Sequence, residues 1–304
     1  MSQPENDYLN TSMHAGLVKE KFFTYDKPFK MENGLLDNFT LAYETYGELS
    51  ASSDNAILIC HALTGDHHVA GVYSENDKRP GWWNHVVGPG KAIDTNKFFV
   101  ICSNCLGACK GSTGPTSRKE NGRIYGINFP DLSILDMVRS QKLLLDHLGV
   151  KKLFAVVGGS MGGMQALQWI VEYPNFLEKA IIIAATAQHT VQTIAFNEAG
   201  RRSITDDPDW KEGEYGEGQG PRRGLAVARM MAHITYLSDH GMEEKFGGSK
   251  RLDSKEQFEF SIQRYLDYQG KKFINRFDAN SYLKLTEALD RFDLVGENSL
   301  EKNL

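Results

Sequence analysis

Short apolar runs and amphipathic stretches alternate along the chain up to about residue 187. The runs are continuous, as in strands that are buried on both faces of a parallel sheet. A stretch at 39–49 instead alternates like a half-buried strand, and helical patterns occupy 131–148, with Asp131 as the expected N-cap, and 161–173. The apolar runs lie at 56–60, 98–102, 153–157 and 179–185. This order predicts an α/β fold with a mostly parallel sheet.

The pattern changes after about residue 187, where strand-like runs stop. A polar, glycine-rich stretch at 205–221 is typical of a loop. Helical patterns follow at 224–238, 254–268 and 280–292. We therefore expect an N-terminal segment over 1–19, an α/β core over 20–187 and a helical lid over 188–296.

Composition narrows the class of protein. The chain has 304 residues, of which 41% are hydrophobic, and this indicates a soluble globular protein. The formal net charge of −5 gives no basic field, so we expect no nucleic-acid partner. The polar, acidic start does not read as a signal peptide, and no apolar run approaches the ~20 residues that span a membrane. We expect no membrane partner and a cytoplasmic location.

The four cysteines raise the question of a metal site. Cys102, Cys105 and Cys109 are spaced C-x2-C-x3-C, but a structural zinc needs four ligands and no second pair of ligands follows. Cys60 and Cys102 each end an apolar run, where buried free thiols are common. We expect reduced structural thiols, with no metal and no disulfide framework.

The strongest chemical signal is a G-x-S-x-G motif from Gly158 to Gly162. A strand-like run precedes it and a helical pattern follows, which is the context of a nucleophile elbow. Ser160 is then the candidate nucleophile, and the backbone N–H of Met161 opens the helix and can bind a developing oxyanion. The alternative is an ordinary glycine-rich turn between strand and helix.

A second motif, HALTG, directly follows the apolar run at 56–60. A loop at this place lies at the same carboxyl edge of the sheet as Ser160, so the backbone N–H of Leu63 is a second candidate oxyanion donor. The alternative is a plain loop in which His61 is structural. We do not expect His61 to be the catalytic base.

Four longer segments resemble the homoserine O-acetyltransferase family, whose members have the α/β-hydrolase fold. They are GGSMGGMQALQW (158–169), HALTG (61–65), NCLGACKGSTGPTS (104–117) and GLAVARMMAHITY (224–236). The resemblance runs from about residue 20 onwards. It implies that Ser160 is the nucleophile, that Leu63 and Met161 form the oxyanion hole, and that Arg229 contacts homoserine. Arg229 lies in an otherwise apolar helical pattern, where a guanidinium needs an anionic partner; a structural salt bridge is the alternative.

The resemblance also implies a reaction in methionine biosynthesis. Ser160 attacks the thioester of acetyl-CoA, CoA leaves, and the hydroxyl of L-homoserine takes the acetyl group from the acetyl-enzyme. Acetyl-CoA is a co-substrate, and no cofactor is implied. Family members are typically homodimers through their lid helices, so a homodimer is expected here.

The partners that should activate Ser160 are missing from the sequence. In this fold the order is Ser, Asp, His, with the Asp and His after the last two strands, and no strand-like run follows residue 187. The later histidines are His189, His233 and His240; His233 lies one turn from Arg229, but in a helical pattern rather than beyond a strand. We expect the catalytic Asp and His, and the last core strands, to be absent from this chain. An unpaired sheet edge, aggregation and little transferase activity would then follow.

Three other functions stay open on these residues. A serine esterase has the same nucleophile and uses water as acceptor. A homoserine or serine O-succinyltransferase differs in only a few pocket side chains. A non-catalytic binding protein would keep the fold without the base.

Overall fold

The computed structural model describes residues 15–216, 218–247 and 257–296. Chain contacts divide these residues into two compact units. The sheet unit contains the described residues up to 113, residues 130–188 and those from 291 onwards. The helical unit joins residues 114–129 to residues 189–290.

The sheet unit is built on a six-stranded sheet of order β1-β4-β8-β5-β9-β10, with two small two-stranded sheets, β2-β3 and β6-β7. The strands are β1 (Lys21–Tyr25), β2 (Phe29–Met31), β3 (Gly34–Leu36), β4 (Phe39–Tyr46), β5 (Ala56–Cys60), β6 (Val87–Gly88), β7 (Ile93–Asp94), β8 (Phe99–Ser103), β9 (Leu153–Gly159) and β10 (Leu177–Ile183). Strands β8, β5, β9 and β10 are parallel, and β1 and β4 are antiparallel to their neighbours. The predicted α/β class with a mostly parallel sheet is confirmed.

Strand β4 corrects one expectation. The alternating pattern predicts a half-buried strand, but most of β4 is buried, including the Glu44 carboxylate at 0% exposure. β4 lies between β1 and β8, so both of its edges are paired, and neither of its faces is left open to solvent. The polar residues of the pattern are therefore partners in buried hydrogen bonds: Tyr46 donates its hydroxyl proton to Glu44.

Two helices of the sheet unit match the predicted ones, α1 (Ile134–His147) and α2 (Met161–Glu172). The N-cap of α1 is Ser133, and the expectation for Asp131 is wrong. The Ser133 hydroxyl accepts from the Asp136 N–H at 3.0 Å, and the Asp136 carboxylate accepts from the Ser133 N–H at 3.0 Å. This reciprocal pair satisfies two backbone donors that a cap at Asp131 would leave open.

Strand β10 forms one edge of the sheet, with β9 as its neighbour among the described strands. Its isoleucines are unusually exposed for an apolar strand: 51% for Ile181, 38% for Ile182 and 42% for Ile183. Among the described residues, no strand pairs with the outer edge of β10. Such an edge is a template for pairing with another chain.

The helical unit contains α3 (Val191–Thr205), α4 (Arg222–Thr235), α5 (Asp239–Phe246), α6 (Ser261–Phe273) and α7 (Ala279–Asp290). Helices α4 and α7 correspond to predicted ones. Helix α6 matches the predicted 254–268 helix only over 261–268: residues 254–256 lie outside the described residues, residues 257–260 are not helical, and α6 continues to Phe273. Helices α3 and α5 are not predicted, and the expected loop at 205–221 contains a 3₁₀ turn at Pro208–Gly213. No helix in the described ranges is both long and apolar enough to cross a membrane.

One buried charge network ties the first and last helices of this unit together. The Asp290 carboxylate accepts from His189 Nδ1 at 3.0 Å, from Asn197 Nδ2 at 2.6 Å and from Arg201 at 2.7 Å. Burial opposes the charge of Asp290, but these three donors outweigh it and lower its pKa. The ionised carboxylate therefore stabilises the contact between α3 and α7.

Candidate active site

Ser160 lies on a sharp turn between β9 and α2. Its backbone has φ 57° and ψ −124°, a combination that side-chain-bearing residues rarely adopt, and its side chain is exposed. The Ser160 N–H donates to the Ile183 carbonyl at 2.9 Å, and the Ser160 carbonyl accepts from the Gly163 N–H at 2.8 Å. These bonds hold the strained turn in place and leave the hydroxyl accessible.

The glycines of the motif are required by close backbone approach. A Cβ on Gly158 would lie 2.0 Å from the Gly162 carbonyl oxygen, and a Cβ on Gly162 would lie 2.0 Å from the Cys60 carbonyl oxygen. Both distances are far inside van der Waals contact. The second also shows that the start of α2 packs directly against the end of β5, where the HALTG loop begins.

The two predicted oxyanion donors meet at one edge of the sheet. Leu63 follows β5 and Met161 follows β9, and β5 pairs in parallel with β9 with Cys60 opposite Gly158. As the first residue of α2, Met161 has no carbonyl of its own helix to donate to. The structure thus brings Ser160, Met161 and Leu63 to the same carboxyl edge, where N–H groups can stabilise a negatively charged oxygen.

His61 fixes the position of the HALTG loop and is fully buried. Its Nε2 accepts from the Cys105 N–H at 3.0 Å, and its Nδ1 lies 2.8 Å from the Ala62 carbonyl oxygen. Since a backbone N–H can only donate and a carbonyl can only accept, the ring is neutral with its proton on Nδ1. Both nitrogens are engaged, which agrees with a structural role for His61.

An ion pair also joins the residue after the HALTG motif to the segment that follows β8. Asp66 forms an ion pair with Lys110 at 2.8 Å, and its carbonyl accepts from the Trp82 indole at 2.9 Å. Burial raises the pKa of Asp66, but the contacts with Lys110 outweigh this effect and lower it. Sequence reasoning did not single out this pair; the position of both residues after neighbouring parallel strands is the signal that points to it.

The cysteines of the C-x2-C-x3-C segment are free thiols. Cys102 and Cys105 are buried and Cys109 is partly exposed. Burial raises the pKa of the Cys60 and Cys102 thiols, which keeps them protonated and makes them poor nucleophiles and metal ligands. Over the described residues, no group of three His, Cys, Asp or Glu side chains is placed to hold a metal ion.

Arg229 lies in α4 of the helical unit, among aromatic rings. Its guanidinium carbon is 4.9 Å from the centroid of the Phe273 ring and 5.8 Å from that of Tyr236. Contact with aromatic faces holds a guanidinium in place. This arrangement suits the recognition of an anionic group such as a carboxylate.

Comparison with known proteins narrows the fold to a family. The α/β-hydrolase fold family matches residues 55–295. The homoserine O-acetyltransferase of Methanococcoides burtonii is 55% identical over 298 residues, which are 95% of this chain and 61% of that protein. The enzyme of the same name from Geotalea uraniireducens is 50% identical over 298 residues and is covered to 80%. The chain belongs to the homoserine O-acetyltransferase family. It spans about three fifths of the length of the archaeal relatives that it matches.

Two solved structures resemble this member of the homoserine O-acetyltransferase family, one of an enzyme of the same name and one of an esterase. The homoserine O-acetyltransferase of Bacillus anthracis is 32% identical with a TM-score of 0.86, over 95% of this chain and 81% of that one. Esterase E22 is 34% identical with a TM-score of 0.84, over 94% of this chain and 82% of that one. Both solved enzymes share the fold of this chain.

Proposed function

We propose that this protein transfers an acetyl group from acetyl-CoA to the hydroxyl of L-homoserine, forming O-acetyl-L-homoserine for methionine biosynthesis. The observation that carries the proposal is the strained, exposed Ser160 at the start of α2, in a chain about half identical to proteins named for this reaction. Acetyl-CoA is a co-substrate, and no resident cofactor is needed.

In this proposal, Ser160 Oγ attacks the thioester carbon and CoA leaves as the thiol. The N–H groups of Leu63 and Met161 bind the oxyanion that forms, since both follow parallel strands at one sheet edge. The homoserine hydroxyl then attacks the acetyl-enzyme while Arg229 holds the homoserine carboxylate. Binding the acceptor in this way favours its hydroxyl over water.

In this proposal, no residue of this chain acts as the catalytic base, and none is the carboxylate that orients the base. Within the described part of the sheet unit, no side chain forms a hydrogen bond with Ser160 Oγ. Without its base, the serine is a weak nucleophile. The rate enhancement that is left comes from the oxyanion hole and from substrate binding, and it is about a thousandfold or more over the reaction in water. Turnover by residues 1–304 is therefore expected to be slow, and the identity of the product is the decisive readout.

Esterase activity is the second candidate, and the similarity to esterase E22 favours it specifically. The nucleophile and the oxyanion hole are the same in both reactions, so the acceptor alone separates them. A carboxylate-binding Arg229 has a purpose in the transferase and none in the hydrolysis of a neutral ester. This difference supports the transferase.

The test is a long incubation of the protein with L-homoserine and either acetyl-CoA or succinyl-CoA, followed by mass spectrometry of the products. We expect O-acetylhomoserine in excess over free acetate, and loss of that product with Ser160→Ala. Free acetate as the main product would identify an esterase. A preference for succinyl-CoA would identify a succinyltransferase, and products unchanged by Ser160→Ala would overturn both proposals.

We also propose a cytoplasmic homodimer that forms through the helical unit. Its support is the set of large apolar side chains exposed on α4 and α6: 43% for Val227, 46% for Ile234 and 53% for Tyr268. Light scattering coupled to size exclusion is expected to give twice the chain mass, and Ile234→Lys is expected to give the monomer. A monomeric wild-type protein would contradict the proposal.

A further inference from the structure

A buried chain of hydrogen bonds connects the two elements that carry the proposed oxyanion donors. Met161 opens α2, and Leu63 lies in the HALTG loop after β5. Four side chains of the sheet unit, each no more than 1% exposed, lie between these elements: Cys105, Gln141, Gln165 and Trp169. Polar groups that have no contact with water depend on one another for hydrogen-bond partners.

The indole of Trp169 fixes the direction of this chain. An indole N–H can only donate, and Trp169 Nε1 donates to Gln141 Oε1 at 2.8 Å. The other end of the Gln141 amide, Nε2, then donates to Gln165 Oε1 at 2.7 Å. The Gln165 Nε2 in turn donates to Cys105 Sγ at 3.4 Å. Each amide is therefore held in one orientation, since turning either one round would break the bonds on both of its sides.

Cys105 connects the chain to both donor elements. Its backbone N–H donates to His61 Nε2 at 3.0 Å, which holds the loop that contains Leu63. Its Sγ accepts from Gln165, which lies one turn after Met161 in α2 and whose Nε2 is 3.4 Å from the Met161 carbonyl oxygen. One residue thus contacts the HALTG loop through its backbone and α2 through its side chain.

A further contact closes the chain into a ring. Cys60 is the last residue of β5 and is bonded covalently to His61, and its Sγ lies 3.9 Å from Gln141 Oε1. Burial raises the pKa of the Cys60 thiol, so its proton stays available for this contact. The buried ring, in order, consists of His61, Cys105, Gln165, Gln141 and Cys60.

The ring and the backbone packing act in opposite directions on the spacing of α2 and the HALTG loop. The glycine at 162 already lies so close to the Cys60 carbonyl that a Cβ there would be 2.0 Å from its oxygen, and this contact prevents closer approach. Moving the two elements apart would lengthen at least one hydrogen bond of the ring. An oxyanion hole depends on this spacing, because both N–H groups must lie about 2.7–3.1 Å from the same oxygen.

We propose that Cys105 and Gln165 are positioning residues that set the spacing between the N–H groups of Leu63 and Met161. Neither side chain touches the substrate, and both act through the HALTG loop and the first turn of α2. The inference rests on the part of the proposed function in which Ser160 is the nucleophile, and it holds for either acceptor.

The test uses trifluoroacetone, which forms a hemiketal with a nucleophilic serine. Ser160 Oγ bonds to the carbonyl carbon, the carbon–oxygen double bond becomes single, and the serine proton passes to the former carbonyl oxygen. Fluorine NMR over a range of pH gives the pKa of this hemiketal hydroxyl, which falls as the oxyanion is bound more tightly. Ser160→Ala is expected to form no adduct.

Three variants change the ring. Gln165→Met has a similar volume but neither polar group, and it is expected to raise the hemiketal pKa by about one unit or more, a tenfold loss of oxyanion stabilisation. Cys105→Ala loses Sγ but keeps its bond to His61, and a smaller rise is expected. Cys105→Ser again offers an acceptor to Gln165 and is expected to restore most of the wild-type value.

Ser140→Ala is the matched control. Ser140 is fully buried next to Gln141 in α1, but its hydroxyl donates to the Met137 carbonyl, outside the ring. It is expected to leave the hemiketal pKa unchanged, whatever its effect on the unfolding midpoint. An unchanged pKa in folded Gln165→Met and Cys105→Ala, or an equal rise in Ser140→Ala, would overturn the inference. If Gln165→Met does not fold, Cys105→Ala and its serine counterpart decide.

Failure of the inference and failure of the proposed function give different results. If wild type forms O-acetylhomoserine and the ring variants keep its hemiketal pKa, the inference alone is overturned. If wild type forms the hemiketal but no O-acetylhomoserine, the transferase proposal fails and the pKa shifts still decide on the ring. If wild type forms no hemiketal at Ser160, the nucleophile and the inference are overturned together.

Discussion

Replacing Ser160 with glycine separates the backbone strain of the elbow from its chemistry. Ser160 has φ 57° and ψ −124°, and such a conformation costs a residue with a side chain about 1–3 kcal/mol. Glycine adopts it freely but loses about 0.5–1 kcal/mol in chain entropy on folding. We expect Ser160→Gly to be more stable than Ser160→Ala by about 1 kcal/mol, since alanine keeps the Cβ that is strained.

Urea denaturation measures this difference. Trp169 is buried in α2, the helix that begins at the elbow, and its fluorescence reports on unfolding. With a denaturant slope of about 2 kcal/mol per molar, the midpoint of Ser160→Gly should lie about 0.5 M above that of Ser160→Ala. Neither variant should form an acetyl-enzyme. Ser53→Gly is the control, because Ser53 also has a positive φ, of 59°, but lies before β5 at the opposite edge of the sheet. A Ser160→Gly protein no more stable than Ser160→Ala would refute the strain argument.

Three further predictions address other parts of the molecule. Gly162→Ala places a Cβ 2.0 Å from the Cys60 carbonyl oxygen, so urea denaturation should show a loss of at least about 2 kcal/mol; wild-type stability would contradict the packing described. Asp290→Asn removes the ion pair with the partly buried Arg201, which keeps only Glu198 as an anionic partner among the described residues, and should destabilise the helical unit by about 1–3 kcal/mol. Because the pKa of Asp290 is lowered, wild type should lose this stabilisation as the pH falls below 3.8, whereas Asp290→Asn should show no such loss; equal pH profiles would contradict the network. Ile181→Lys on the exposed edge strand should slow aggregation measured by light scattering; an unchanged rate would exclude β10 as the site of self-association.

The hydropathy pattern predicted the parallel strands because each is a continuous apolar run; β5, β8 and β9 are buried as such runs imply, whereas β10 is largely exposed. Strand β5, at Ala56–Cys60, coincides with the predicted run. Strand β4 was expected to be half-buried but is mostly buried, and the pattern did not indicate β1, its neighbour in the sheet. Helix α3 was missed because it has only two buried residues, Gly200 and Ile204, and so lacks a clear apolar face.

The elbow could be predicted because its requirements are local. Strand, glycines, serine and helix are contiguous in the chain, so Ser160 and Met161 could be located from spacing alone. The hydrogen bond that holds the HALTG loop could not be predicted, because His61 and Cys105 are distant in sequence and are brought together only by the order of the strands.

The most direct test of the central claim is to trap the acetyl-enzyme. The protein is incubated with acetyl-CoA, digested and analysed by peptide mass spectrometry, and a second sample is first treated with L-homoserine. The account predicts one acetyl group on Ser160, absent from Ser160→Ala, that disappears with L-homoserine as O-acetylhomoserine forms. Acetylation of lysines alone, or O-acetylhomoserine formed equally by Ser160→Ala, would contradict it.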